Sequence, residues 1–144
     1  MKYISHRGFI NGIDHSLENN PKQILYLLSK NIDVEIDIRI HKEKFYLGHD
    51  EPSFEISRDF IENPKLWCHA KTFTALEALS KTKSHYFWHQ NDDYTITSRG
   101  FIWVYPGKPL FKNSISVTPE NFQLDYSSCY GICTDYIKKY IDNL

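Results

Sequence analysis

The chain has 144 residues, of which 41% are hydrophobic and 24% are charged, and its formal net charge is −1. This length predicts a single domain, residues 1–144, that can bury a core. The balanced charge speaks against the basic surface of a nucleic-acid-binding protein, so no nucleic-acid partner is predicted. No apolar run approaches the ~20 residues of a membrane span, so no stable membrane insertion is predicted.

The cysteines point to a reducing compartment. Cys68, Cys129 and Cys133 are odd in number and irregularly spaced, which does not suggest a disulfide framework. Met1-Lys2-Tyr3 leads directly into a predicted strand, without the apolar stretch of a signal peptide. These observations predict a cytoplasmic protein.

The first half of the chain alternates strands and helices. The predicted strands are Tyr3–Ser5, Val34–Ile40, Lys44–Leu47 and Leu66–Lys71. Asn20 is predicted to cap a helix that starts at Pro21 and buries Ile24, Leu25, Leu27 and Leu28. A short helical segment is expected near Ser57–Asn63. Thr74-x-x-Glu77 predicts the capping box of a third helix, with Phe73, Leu76 and Leu79 directed inward.

The second half contains short strands with spacers too short for full helices. Its predicted strands are His85–His89, Tyr94–Thr97, Phe101–Tyr105, Ile115–Val117 and Gly131–Thr134. A closing helix is predicted over Tyr136–Leu144, buried through Ile137, Tyr140, Ile141 and Leu144.

Alternating strands and helices predict parallel βα units. A complete barrel of eight such units usually needs ~250 residues. The sequence therefore predicts an α/β fold, a reduced (β/α)8 TIM-type barrel with several outer helices missing. Such a barrel would leave apolar strand faces bare, and a homo-oligomer is one way to cover them.

Glu35 and Asp37 carry the clearest chemical signal. They lie two residues apart on a predicted strand, so their side chains point the same way. Two such carboxylates repel each other unless a cation lies between them, and Mg²⁺ or Ca²⁺ prefers oxygen ligands of this kind. The alternation alone fits equally well a solvated strand face on which Arg39 pairs with Asp37.

His6 and His49 each follow a predicted strand and could overhang one site. Phosphodiester cleavage needs one proton removed and one supplied, and imidazole suits both steps. The alternative is two ordinary exposed histidines. Arg7 could neutralise phosphate oxygens or form a surface ion pair with Glu18 or Asp50.

Four motifs occur in order along the chain: Ser5-His6-Arg7-Gly8, Leu17-Glu18-Asn19, Glu35-Ile36-Asp37-Ile38 and Gly48-His49-Asp50-Glu51-Pro52. With these motifs the chain resembles the glycerophosphodiester phosphodiesterases, members of the phospholipase-C-like phosphodiesterase barrel superfamily. Weaker similarities are Cys68-His69-Ala70-Lys71 and Gly131-Ile132-Cys133-Thr134-Asp135. The resemblance implies a (β/α)8 barrel with its site at the carboxyl ends of the strands.

The resemblance also implies roles for individual residues. Glu35 and Asp37 would be metal ligands and Glu18 a further carboxylate at the site, while His6 and His49 would form the acid–base pair. His69 departs from the family pattern, which has a carboxylate two residues before the lysine that matches Lys71. A histidine ligand would favour a softer ion such as Mn²⁺ or Zn²⁺; equally, His69 could be a strand histidine packed in the barrel. Lys71 would face the same way and could contact the phosphate.

The predicted function is therefore metal-dependent hydrolysis of a glycerophosphodiester or a similar small phosphodiester. One alternative is a catalytically impaired protein of the same fold that binds a phosphate ligand, which the histidine at position 69 favours. Another is a metal-binding structural or assembly subunit, supported only by the high aromatic content of 15%. His89 and Trp103, near the ends of later strands, could wall the pocket, although core packing also explains Trp103.

Overall fold

A computed structural model describes all 144 residues. Its ten strands are β1 (Lys2–His6), β2 (Asp33–His41), β3 (Lys44–Leu47), β4 (Phe54–Ile56), β5 (Leu66–Ala70), β6 (His85–Trp88), β7 (Tyr94–Ile96), β8 (Ile102–Val104), β9 (Ser114–Val117) and β10 (Gly131–Thr134). The α-helices are α1 (Pro21–Ser29), α2 (Arg58–Ile61) and α3 (Phe73–Ser80), and 3-10 turns cover Pro119–Asn121 and Ile137–Lys139. No helix combines the length and apolar character needed to cross a bilayer.

All ten strands belong to one sheet. Seven of them run parallel in the order β6-β5-β2-β1-β10-β9-β8. Strand β7 lies antiparallel to β8, and β3 pairs antiparallel with the carboxyl-terminal part of β2 and with β4. Strands β6 and β8 are not paired with each other, so the sheet stays open.

The prediction of a reduced (β/α)8 TIM-type barrel is wrong. The chain forms a curled half-barrel sheet with 31% strand and only 19% helix. The connections after β6 explain the difference. A parallel barrel needs a crossover of a dozen or more residues, usually a helix, between neighbouring strands. Residues 89–130 contain the parallel strands β8 and β9, but the segments that connect the parallel strands there provide only the antiparallel strand β7 and one 3-10 turn.

The two faces of the sheet have different cores. One face packs against the helices through 14 buried residues, among them Ile36, Cys68 and Leu79. The other face is filled by a second cluster of seven buried residues, including Trp67, Phe87 and Trp103. The rings of Trp67 on β5 and Trp103 on β8 lie 5.9 Å apart, whereas five strand spacings on a flat sheet would be about 24 Å. This face is therefore concave.

The helices differ from the prediction in detail. Helix α1 starts at Pro21 with the Asn20 side chain accepting from the backbone N–H groups of its first turn, as predicted, but Leu25 is 54% exposed. The cap of α3 is Thr72 rather than Thr74, because the Thr72 hydroxyl accepts from Ala75 N–H. Phe73 is consequently turned outward and is 73% exposed.

The predicted helix over Tyr136–Leu144 is wrong. Only a 3-10 turn forms, at Ile137–Lys139, and Ile137 is its buried residue. A helix of nine residues has little stability of its own. Near the chain end, Asn143 adopts a left-handed conformation with φ 71°. This conformation is incompatible with continuing a right-handed helix.

Candidate active site

A pocket of about 360 Å³ opens at the carboxyl ends of β1, β2 and β5. Six residues singled out in the sequence line it, namely His6, Arg7, Glu35, His49, His69 and Lys71. The opposite wall includes His89 and Trp103, which the sequence analysis placed near the ends of later strands. It also includes four residues that the sequence analysis did not single out, namely Gln90, Tyr105, Pro106 and Thr118.

Glu35, Asp37 and His69 form the centre of this site. Asp37 on β2 pairs in register with His69 on β5, and Glu35 precedes Asp37 by two residues on the same face. His69 Nδ1 lies 3.4 Å from Glu35 Oε1 and 3.6 Å from Asp37 Oδ1. One potential ligand atom of each residue lies within 4.8 Å of the other two, and both carboxylates are buried. The solvated strand face considered for Glu35 and Asp37 is therefore wrong.

The second polar atom of each of these groups is already occupied. Glu35 Oε2 accepts the backbone N–H of Arg7 at 3.1 Å. Asp37 Oδ2 accepts from Asn19 Nδ2 at 2.9 Å, and Asn19 Oδ1 accepts the Asp37 backbone N–H at 3.0 Å. His69 Nε2 lies 2.8 Å from the carbonyl oxygen of His89. Each of the three groups thus has one atom fixed by the protein and one atom facing the shared centre, as in metal sites whose ligands are oriented by outer partners.

One of the inward-facing atoms has no hydrogen-bond partner. Asp37 Oδ1 is buried and has no hydrogen-bond partner. Arg7 Nε is also buried without a partner. It lies 3.3 Å from the other oxygen, Asp37 Oδ2, but makes no hydrogen bond to it. An unsatisfied buried polar group costs ~1–3 kcal/mol. A divalent cation at the centre would satisfy Asp37 Oδ1, and two carboxylates with one imidazole are a suitable donor set for such an ion.

The surroundings keep Glu35 ionised. Burial by itself would raise the pKa of this carboxyl, but the neighbouring His69, His6 and Arg7 outweigh burial and hold the pKa well below its usual range. A carboxylate that stays ionised is available as a metal ligand over the whole neutral pH range.

The ring of His6 is held at Nδ1 by the carboxylate of Asp135. Its Nδ1 lies 2.6 Å from Asp135 Oδ1, and its Nε2 lies 3.9 Å from Glu35 Oε2. Burial opposes protonation, but the hydrogen bond with Asp135 and the charge of Glu35 outweigh it and raise the pKa of His6. Glu120 in turn accepts the Asp135 backbone N–H at 2.9 Å and the Thr134 hydroxyl at 3.0 Å.

Asp135 ends the weaker motif Gly131-Ile132-Cys133-Thr134-Asp135, and its position before the predicted C-terminal helix fits a helix cap equally well. The available signal was the position of Asp135 directly after β10. Strand β10 is the parallel neighbour of β1, with Thr134 opposite Ser5, so the residues that follow, Asp135 and His6, meet at the same edge of the sheet. That pairing could not be identified without the strand order.

His49 lies on the loop after β3, and its backbone is held by Arg39. The Arg39 guanidinium donates to the carbonyl oxygens of Gly48 at 3.1 Å and His49 at 2.5 Å, so Arg39 does not pair with Asp37 as the alternative required. His49 Nδ1 lies 2.8 Å from Asp50 Oδ1. Gly48 is required by space, because a Cβ there would lie 1.8 Å from the carbonyl oxygen of Glu51.

Arg7, Glu18 and Lys71 surround the central carboxylates. Arg7 Nη1 donates to Glu18 Oε1 at 2.7 Å. Glu18 is therefore the partner of Arg7 and is not among the residues that converge with Glu35. Lys71 Nζ lies 3.8 Å from Asp37 Oδ1, so it faces the pocket from the end of β5 beside His69.

The site therefore combines a Glu35–Asp37–His69 cluster that could hold a metal ion, two histidines that each contact an aspartate, and the positive side chains of Arg7 and Lys71. Comparisons of the chain with models of protein families, with curated proteins and with solved structures found no match.

Proposed function

We propose that the protein is a metal-dependent phosphodiester hydrolase that acts on a glycerophosphodiester or a similar small phosphodiester. The observation that carries this proposal is the convergence of Glu35 Oε1, Asp37 Oδ1 and His69 Nδ1. This cluster lies beside a pocket whose lining includes Glu35, His69, His6 and His49. A divalent cation held there would polarise the phosphate and stabilise the charge that develops in the transition state.

The two histidines account for the proton transfers. Water attacks phosphorus and the bond to the leaving alkoxide breaks; one histidine accepts the proton of the water and the other donates a proton to the alkoxide. The Nδ1 contacts of His6 with Asp135 and of His49 with Asp50 leave Nε2 of each ring for this exchange. Asp135 would also stabilise the imidazolium form of His6.

The positive side chains support phosphate binding. Lys71 and Arg7 line the pocket next to the carboxylates, where they would contact phosphate oxygens that a metal ion leaves free. The pocket of about 360 Å³ lies at the small end of the range for ligand sites, ~300–1,000 Å³. A diester with a small alcohol group suits this volume better than a long-chain lipid.

The test is hydrolysis of bis(p-nitrophenyl) phosphate and of glycerophosphodiesters with Mg²⁺, Ca²⁺, Mn²⁺, Zn²⁺ or EDTA. Metal-dependent turnover by the wild type that His6→Ala and Glu35→Ala both abolish is the expected result. His41→Ala and Glu55→Ala are matched controls, because these side chains are exposed and outside the pocket. Folded protein without turnover under any of these conditions would contradict the proposal.

A second candidate function is a phosphate-ligand binding protein with impaired turnover. It is favoured by Arg7 and Lys71, which lie 3.3 and 3.8 Å from Asp37 oxygens and offset the carboxylate charge without a metal ion. Calorimetric titration with intact glycerophosphodiester in EDTA distinguishes the two. Tight metal-free binding without product would support the binding protein.

A further inference from the structure

His69 is held in one tautomer by its backbone partner. A carbonyl oxygen can only accept, so the contact of 2.8 Å between His69 Nε2 and His89 O places a hydrogen on Nε2. In a neutral ring, Nδ1 then carries the lone pair, and this is the atom that faces Glu35 Oε1 and Asp37 Oδ1. A lone pair directed at two carboxylate oxygens is unfavourable unless a positive species lies between them.

A proton on Nδ1 fits the geometry less well than a metal ion. The separations of 3.4 and 3.6 Å exceed the 2.7–2.9 Å of a charge-assisted hydrogen bond. Ligand atoms at ~2.1 Å from a tetrahedral metal centre are about 3.4 Å apart. The two separations from His69 Nδ1 thus match the spacing of metal ligands rather than that of an ion pair.

The imidazole ring is also fixed in orientation. It stacks on Phe87, with ring centroids 4.8 Å apart and an angle of 18° between the planes. Together with the Nε2 contact, this stacking prevents Nδ1 from turning away from the carboxylates. The nitrogen is therefore a preoriented ligand.

We infer that this centre selects first-row transition metal ions such as Mn²⁺ and Zn²⁺ over Mg²⁺ and Ca²⁺, with His69 as the residue that sets the selectivity. The inference depends on the metal site of the proposed function. Mg²⁺ and Ca²⁺ strongly prefer oxygen ligands, whereas imidazole nitrogen suits transition metals. It replaces the expectation of Mg²⁺ or Ca²⁺ drawn from the two carboxylates alone.

The experiment measures binding of each metal ion to protein stripped with EDTA and dialysed. Calorimetry gives the affinities for Mn²⁺, Zn²⁺, Mg²⁺ and Ca²⁺, and pulsed electron paramagnetic resonance detects nitrogen bound directly to Mn²⁺. His69→Asp supplies a third carboxylate, and His69→Asn supplies a neutral side chain if the aspartate variant does not fold. His41→Asp makes the same change on the exposed end of β2.

We expect wild-type protein to bind Mn²⁺ more tightly than Mg²⁺ by about tenfold or more, with a nitrogen signal. The preference for Mn²⁺ and the nitrogen signal should both be lost in His69→Asp and in His69→Asn, and both should be kept in His41→Asp. Equal affinity for Mg²⁺ and Mn²⁺, no binding of any ion, or a nitrogen signal that survives in both His69 variants would overturn the inference.

These outcomes are independent of turnover. Mn²⁺ binding through His69 without phosphodiester hydrolysis would contradict the proposed function and leave the metal selectivity standing. Hydrolysis supported by Mg²⁺ without any preference for Mn²⁺ would support the proposed function and overturn the metal selectivity.

Discussion

The part of the sheet that the helices cover differs from the part that follows it in the chain. Strands β2 and β5 have their outer face packed beneath α1 and α3 in a core of 14 buried residues. Strands β7 to β10 have no α-helix over them, and they contribute mainly to the smaller concave cluster. Glu35, Asp37 and His69 all lie on the helix-covered strands.

This difference has a physical reason. Two buried carboxylates and a fixed imidazole must be held in place despite their desolvation, and a strand buried on both faces can do this. The later strands supply the opposite wall of the pocket, including Trp103 and Tyr105. Asp135, after β10, is the one carboxylate from that region which contacts the site.

The largest expected effect distinguishes His6, the proposed proton-transfer group, from Asp135, which orients it. His6→Gln should lower kcat/KM for a phosphodiester by about 10²–10⁴-fold, the usual contribution of a general acid or base. Asp135→Asn should lower it less, because it removes only the group that orients His6. Steady-state kinetics with each variant measures both effects. An equal loss of kcat/KM would mean that Asp135, which follows β10, contributes as much to catalysis as His6, which ends β1.

Removal of matched core side chains tests the difference in packing. Ile36→Ala should reduce the free energy of unfolding by about 2–5 kcal/mol, since Ile36 is fully buried between helices and sheet. Ile115→Ala, in the concave cluster, should cost less because neighbours next to the open pocket can relax into the space. Urea denaturation measures both. A larger loss for Ile115→Ala would contradict the comparison.

His85 makes the stability contribution of β6 sensitive to pH. It is buried, its Nε2 lies 2.7 Å from Thr97 Oγ1, and its ring lies 4.1 Å from that of Trp67. Burial first, and then the charge of Arg99, lower the pKa of His85 from 6.5 to about 4. The unfolded chain therefore takes up a proton at a higher pH than the folded protein does.

The contribution of His85 is fully present above pH ~6.5 and is lost as the pH falls towards ~4, by on the order of 3 kcal/mol. Urea denaturation of wild type and His85→Gln across this range should show a steeper loss of stability for the wild type. Parallel curves for the two proteins would show that His85 titrates normally.

The smallest expected effect concerns the helix caps of the covered region. Asn20→Ala and Thr72→Ala should each cost about 1 kcal/mol in unfolding free energy, because each removes the acceptor for N–H groups of a first turn. Asn91→Ala serves as a control, because Asn91 is exposed and lies outside any α-helix. Activity should be unchanged. A large loss of activity would mean that the helices also tune the site.

The sequence predicted correctly which side chains share a face of one strand, because that property depends on the strand alone. The alternation in Val34–Ile40 placed Glu35 and Asp37 on one face, and the structure has them there. It failed where the outcome depends on neighbours distant in the chain. Whether β6 meets β8, whether Asp135 reaches His6 and whether Leu25 finds a covered surface are decided by strand order and by helix orientation.

Gly48 has a consequence for which substitutions the protein can accept. Any side chain at this position overlaps the carbonyl of Glu51, and relief of the overlap would displace the neighbouring His49. A selection for activity among random variants should therefore reject all replacements of Gly48, although glycine has no group that takes part in a reaction. The nearby Glu51 and Pro52 are exposed, and their side chains should vary more freely. Along this loop, steric room sets the limits of variation as firmly as chemistry does.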